Sequence, residues 1–215
     1  MFASTRWTSA VVGASLVAHA GPAVASESGW RLEAAFFGLD GARSHDLSLV
    51  PQWSALLVRI SKPSARNAKG ERKASHLTKE GGGAETPPLT RGAIVRLNQE
   101  INETPYQSDE VNWRRRDYWE TPAEFAQRGG DCEDFAVAKY FALRALGLQA
   151  ADMRIALVFD ENLGARHAVL LVRFEDEVFV LDNQRNDVSH ASDVQAYRPL
   201  LAVNEENWWL ASSSL

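Results

Sequence analysis

A single cysteine, Cys132, among 215 residues leaves no partner for an internal disulfide, so the fold must be held by its core. Histidine is equally scarce. Its five residues stand at 19, 45, 76, 167 and 190, with none of the paired spacings of a zinc site. Positive charge is in deficit: 23 Lys and Arg face 28 Asp and Glu, for a net charge of −5. That balance argues against nucleic-acid binding and against attachment to an acidic lipid surface. No apolar run approaches the roughly 20 residues of a membrane span, so the chain does not read as an integral membrane protein. The triple glycine at 81–83 has neither a strand before it nor a helix pattern after it, which removes the phosphate-loop reading.

Residues 1–25 carry one arginine, no acid, an apolar stretch of about a dozen residues and small residues at Ala23 and Ala25. They read as a secretory signal peptide cleaved after Ala25, with a short buried helix or a membrane anchor as the competing reading. Export would place the mature protein in the periplasm, and loss of Arg6 would take its net charge from −5 to −6. Residues 26–215 are long enough for one well-buried core and too short for two large domains.

Within that domain Leu49, Val50, Trp53, Leu56, Leu57 and Ile60 recur at helical spacing, predicting an amphipathic helix over 47–60. The pattern stops at 62–88, where Leu77 is the one large apolar residue among charges, glycines and prolines. Such a stretch buries too little surface to offset its ordering entropy. It reads as a polar, mobile insert, either a tolerated loop or a partner-binding segment. Helical spacing resumes at Ile94, Leu97 and Ile101.

The run TPAEF predicts a capping box at Thr121 and Glu124, with Pro122 opening a short helix that ends at Gly129 and Gly130. Asp131 can then cap a second helix from Cys132 to Leu146, closed by Gly147, with Phe135, Ala138, Ala142, Leu143 and Leu146 inward. Downstream, 154–161, 167–175 and 178–183 read as three strands joined by hairpin turns. A last strand near 200–203 and a helical or loop tail with Trp208 and Trp209 complete an α+β domain, helices packed on an antiparallel sheet.

If the second hairpin pairs Phe174 with Glu177, His167 and Asp182 fall on one face as diagonal neighbours, at roughly 7–8 Å. A helix-borne Cys132 with a strand-borne His167 and Asp182 supplies the parts of a thiol acyl-transfer site: nucleophile, general base and the group that orients the base. Each part has a plain alternative as a buried hydrophobe, a structural histidine or a turn former. Asp131, Glu133 and Asp134 flank the thiol and oppose its ionisation, so they are either ordinary first-turn acids or neutralised by a cation. Trp113, Tyr118 and Trp119 precede the nucleophile as core packing or as a groove wall.

The stretch DYWETPAEFAQRGGDCEDFAVAKYFALRALG, followed by RHAVLLV and VFVLDNQ, resembles the LapG family of bacterial transglutaminase-like cysteine proteinases over about residues 91–210. The resemblance implies a papain-like or transglutaminase-like core with a catalytic triad at Cys132, His167 and Asp182. It implies Ca²⁺ at Asp131 and Glu133, with Asp134 as a further contributor. It also implies a periplasmic endopeptidase that cuts a large surface adhesin near its N-terminus, controls biofilm attachment and is held back by an inner-membrane cyclic di-GMP receptor. The rival outcomes are transglutaminase-type acyl transfer from the same acyl-enzyme and a non-catalytic calcium-binding module of the same fold.

Overall fold

The computed structural model describes residue 39 and residues 41–62 and 88–212. The expected leader at 1–25 lies outside these residues, as does all of the expected insert except Lys62 and Pro88.

The first helical stretch is split by its proline. A 3-10 turn at Leu47–Leu49 is capped by Asp46, whose carboxylate accepts the Ser48 N–H at 3.1 Å. Helix α1, Pro51–Ser61, then starts afresh with Pro51 at a position where no N–H is needed. The helix is therefore shorter than expected at its start, and Leu49 is 40% exposed instead of inward. Trp53 and Leu56 are fully buried. The Trp53 indole donates to the Asn204 carbonyl at 2.8 Å and meets Trp119 and Tyr140 edge-on at 6.0 and 5.6 Å between centroids. Trp53→Ala is expected to cost about 3–5 kcal/mol, as for other buried aromatics, measured by denaturant unfolding.

Helix α2, Arg91–Asn102, is capped by Thr90, whose hydroxyl accepts the Ala93 N–H at 3.2 Å. A single turn, α3 (Asp109–Asn112), follows. Helix α4, Pro122–Arg128, shows the expected capping box and ends at Gly129, whose φ of 74° suits glycine. A side chain there would also lie 2.1 Å from the Pro105 carbonyl oxygen. Helix α5, Cys132–Ala145, begins where predicted but is buried well beyond its predicted stripe. Ala136, Val137, Lys139 and Tyr140 are inside, along with Glu133 and Asp134.

Strands β1 (Arg43–Ser44), β2 (Met153–Asp160), β3 (Ala165–Phe174), β4 (Glu177–Leu181), β5 (Ser189–His190), β6 (Tyr197–Val203) and β7 (Trp208–Leu210) form one sheet in the order β1-β7-β6-β2-β3-β4-β5. Every pairing is antiparallel. The tail carrying Trp208 and Trp209 is thus a strand and not the expected helix or loop. Asn204 dictates this: its side-chain oxygen accepts the N–H groups of Glu206 and Asn207, both at 2.8 Å, and the resulting turn folds β7 back on β6.

Side chains alternate between two clusters. Ile155, Leu170, Val172, Phe179 and Leu181 pack with Trp53, Ile94, Tyr140 and Leu143 of the helices. Ala156, Val158, Val169, Leu171, Val178 and Val180 form the second cluster. Among the described residues no helix is long and apolar enough to cross a membrane.

Candidate active site and metal centre

The β3–β4 hairpin keeps the predicted register, with Phe174 opposite Glu177 and Leu170 opposite Leu181. Continued by one pair, it sets His167 and Asp182 on the same face, and their side chains meet: His167 Nε2 lies 2.9 Å from Asp182 Oδ1. Both are buried, at 5% and 2% exposure. Oδ1 also accepts the Gln184 N–H at 2.9 Å, while the Tyr197 hydroxyl donates to Oδ2. Burial alone would raise the Asp182 pKa. The His167 hydrogen bond and charge, the Gln184 N–H and the Tyr197 hydroxyl outweigh it and hold the carboxyl below its ordinary value.

Helix α2 fixes the backbone beneath this pair. The Asn102 amide donates to the carbonyls of Asp182 and Arg185, both at 2.9 Å, and Asn98 donates to Arg185 at 2.9 Å. Asn98 and Asn102 sit one helical turn apart, so one face of α2 holds the loop after β4.

Cys132 opens α5. Its thiol donates to Glu133 Oε2 at 3.1 Å. Burial, followed by the charges of Glu133 and Asp131, pushes the thiol well above its usual pKa, and the Ala168 N–H works in the other direction. That N–H belongs to the residue after His167, which places the sulfur against the histidine's own strand.

Around this turn the chain gathers six carboxylates: Asp109, Asp117, Glu120, Asp131, Glu133 and Asp134. Asp131 and Glu133 are where the sequence pointed. Asp109, Asp117 and Glu120 were missed, since Asp109 looks like an ordinary first-turn acid of α3 and nothing local ties it to Cys132. Asp117 and Glu120 at least fall within the DYWE run of the recognisable stretch. Ligand oxygens of Asp109, Asp131 and Asp134 lie within 4.8 Å of one another, as do those of Asp109, Asp117 and Glu133.

Asp134 is largely spoken for. Its two oxygens accept the N–H groups of Glu120 at 2.7 Å and Asp131 at 3.0 Å, which makes it a capping residue that ties the preceding loop to the helix. By contrast, Asp109 Oδ1, Asp117 Oδ1, Glu120 Oε2, Asp131 Oδ1 and Glu133 Oε1 are buried with no hydrogen-bond partner. Among the described residues no lysine or arginine forms an ion pair with any of the six.

The electrostatic consequence is uniform. Burial first, and Asp131 next, raise Asp109 to about 7. Burial raises Glu120 to about 7 and Asp117 to about 6. Burial and mutual repulsion hold Glu133 and Asp134 far above the ordinary carboxylate range, and burial raises Asp131. Five orphaned oxygens in a repelling cluster fit a hard divalent cation that takes six to eight oxygen ligands.

The three aromatics divide. Trp119 is core, 2% exposed. Trp113 and Tyr118 pack together at 4.6 Å, with the Trp113 indole donating to Glu120 and the Tyr118 hydroxyl to Glu124 at 3.1 Å.

Residues 70–212 match the family described as bacterial transglutaminase-like cysteine proteinase. The chain belongs to that family. No curated protein matches it. Among solved structures this proteinase is similar to LapG of Legionella pneumophila, 28% identical over 73% of this chain and 85% of that chain, with a TM-score of 0.54. The calcium-bound form of LapG is 29% identical over 74% of this chain and 88% of that one, at a TM-score of 0.54. The EGTA-treated form is 27% identical over 74% and 85%, at 0.57. The proteinase therefore has the LapG-like transglutaminase-like fold that the sequence resemblance implied.

Proposed function

We propose that this cysteine proteinase is a calcium-dependent endopeptidase with Cys132, His167 and Asp182 as its triad. The observation that carries the reading is the 2.9 Å bond between His167 Nε2 and Asp182 on the strand whose Ala168 N–H meets the Cys132 sulfur. With Nε2 committed to Asp182, Nδ1, which lies 3.4 Å from the Gln184 side-chain amide, is the nitrogen that would take the thiol proton. The thiolate adds to the scissile carbonyl carbon, and backbone N–H groups of the first turn of α5, including that of Cys132, receive the developing oxyanion. The imidazolium then protonates the leaving amine as the C–N bond breaks, leaving a thioester. Water, deprotonated by the same imidazole, hydrolyses the thioester and restores the thiol.

Asp131 and Glu133, with Asp109 and Asp117, would hold Ca²⁺. When bound, the ion supplies positive charge that offsets the carboxylates beside the thiol. Those four residues come from α3, from the segment between α3 and α4, and from the start of α5, so an ion held by them would tie the first turn of α5 to the chain before it. The calcium-bound LapG structure supports this reading by likeness.

The substrate we assign is the N-terminal region of a large surface adhesin, cut in the periplasm to control biofilm attachment, with an inner-membrane cyclic di-GMP receptor as the inhibitory partner. The acting unit is one proteinase domain at 26–215 that carries the polar segment at 62–88. Incubation with the N-terminal region of an adhesin encoded beside this chain should yield one hydrolytic cut, located by N-terminal sequencing. Incorporation of an added amine in place of hydrolysis would favour the acyl-transferase outcome. Intact mass of periplasmic material should place the mature N-terminus at Ser26, and a retained Met1 would move the protein out of that compartment.

A further inference from the structure

Asp182 Oδ2 is the triad oxygen that His167 does not use, and its partner comes from a strand on the other side of β2. Tyr197 opens β6, which pairs with β2 and not with β3 or β4. Its hydroxyl donates to Asp182 Oδ2, and its ring meets the His167 imidazole edge-on at 5.7 Å between centroids.

A backbone irregularity makes this possible. In the β2–β6 ladder Leu157 faces Leu201, yet Val158 faces Pro199, so Leu200 is an extra residue on β6. Beyond that bulge Asp160 faces Tyr197. Because Val158 also pairs with His167, the alternation along β2 sets Tyr197 on the same sheet face as His167. In an unbulged ladder Arg198 would stand opposite Asp160, and the tyrosine would point away from the site. Bulges beside active sites often re-aim a side chain in this manner.

We propose that Tyr197 is a positioning residue of the triad: its hydroxyl holds Asp182 Oδ2 so that Oδ1 stays aimed at His167 Nε2 and the carboxylate stays ionised. The inference rests on the proteinase reading above and extends it to a fourth side chain. The groups that face Asp182 are His167 from β3, Tyr197 from β6 and Lys139 from α5. Lys139 is fully buried, with no hydrogen-bond partner for its Nζ. Tyr197 in turn feels Asp160 and Arg185. Of these, only His167 and Tyr197 donate a side-chain hydrogen bond to the Asp182 carboxylate.

The test compares the parent enzyme with Tyr197→Phe and Tyr197→Leu, each with calcium present. Removing one hydrogen bond to a buried charge should lower kcat roughly 10–100-fold, with KM within about twofold. The acidic limb of the kcat/KM profile should move to higher pH, because Asp182 protonates more readily without its donor. The same shift should appear in the Asp182 carboxyl carbon signal by NMR, a readout that needs no substrate. Tyr197→Leu should fall at least as far as Tyr197→Phe.

A Phe variant with the parent's kcat and an unmoved Asp182 titration, while only the Leu variant loses activity, would reduce Tyr197 to ring packing and overturn the proposal. If the parent itself cuts no peptide, the proteinase reading fails. The NMR shift then still decides whether Tyr197 and Asp182 are coupled.

Discussion

Cys132→Ala is expected to lose proteolysis by on the order of 10⁴–10⁶-fold, the scale seen when the nucleophile of a coupled triad is removed. There is no second thiol to substitute for it. The lost contacts are few, chiefly the donation to Glu133 and the Ala168 N–H, so far-UV circular dichroism and the melting temperature should stay near the parent's. His167→Ala should fall comparably, and Asp182→Asn somewhat less, since the imidazole would remain in place without its orienting charge. Undiminished cleavage by a folded Cys132→Ala protein would sink the triad assignment.

Chelation should silence the enzyme, and the same cluster should govern stability in a pH-dependent way. Asp109 and Glu120 stand at about 7 and Asp117 at about 6, with Asp131, Glu133 and Asp134 also raised, against ordinary values of 3.8 for Asp and 4.5 for Glu. The folded, ion-free protein therefore keeps protons that the unfolded chain has released. Where the native state binds more protons, stability falls as pH rises. The contribution is complete below the unfolded pKa values, near pH 4, and is lost as pH climbs through the folded values toward 7.

In EGTA the melting temperature should accordingly be higher at pH 5.5 than at pH 8. With Ca²⁺ at about 100 times its Kd, linkage adds roughly 2.7 kcal/mol, worth about 5–11 °C in a domain of this size, and the difference should flatten or reverse. Asp131→Asn and Glu133→Gln should abolish both the calcium response and cleavage. Thiol alkylation against pH, with and without chelator, separates the effect on the sulfur from the effect on the fold. A melting temperature indifferent to both pH and calcium would mean that the acids are only a helix start.

What could be read ahead from the sequence was what short-range rules govern. The capping box at Thr121, the start of α5 after Asp131 and the Phe174–Glu177 turn all depend on residues a few positions apart. The turn register in particular carried His167 to Asp182. The missed features share a different cause. Asp109 and Asp117 lie 23 and 15 positions before Cys132 and have unremarkable neighbours, so only the folded chain shows that their oxygens converge with those of Glu133. Tyr197 reaches Asp182 through a bulge whose one mark in YRPLLAV is Pro199 beside the extra residue, a proline that flags an irregular ladder without saying which side chains it re-aims. Leu49 followed a correct helical period but sat on the wrong side of Pro51, where the period restarts.

Under the proposed reading, the bond from the Cys132 thiol to Glu133 has a consequence for how such an enzyme is kept safe while it is made. A proteinase whose nucleophile is quenched by its adjacent side chain needs no pro-segment to cover it, and no cut peptide bond to release it. Arming becomes an equilibrium set by the local ion concentration, so a molecule that has been switched on can be switched off again and reused, which a zymogen cannot.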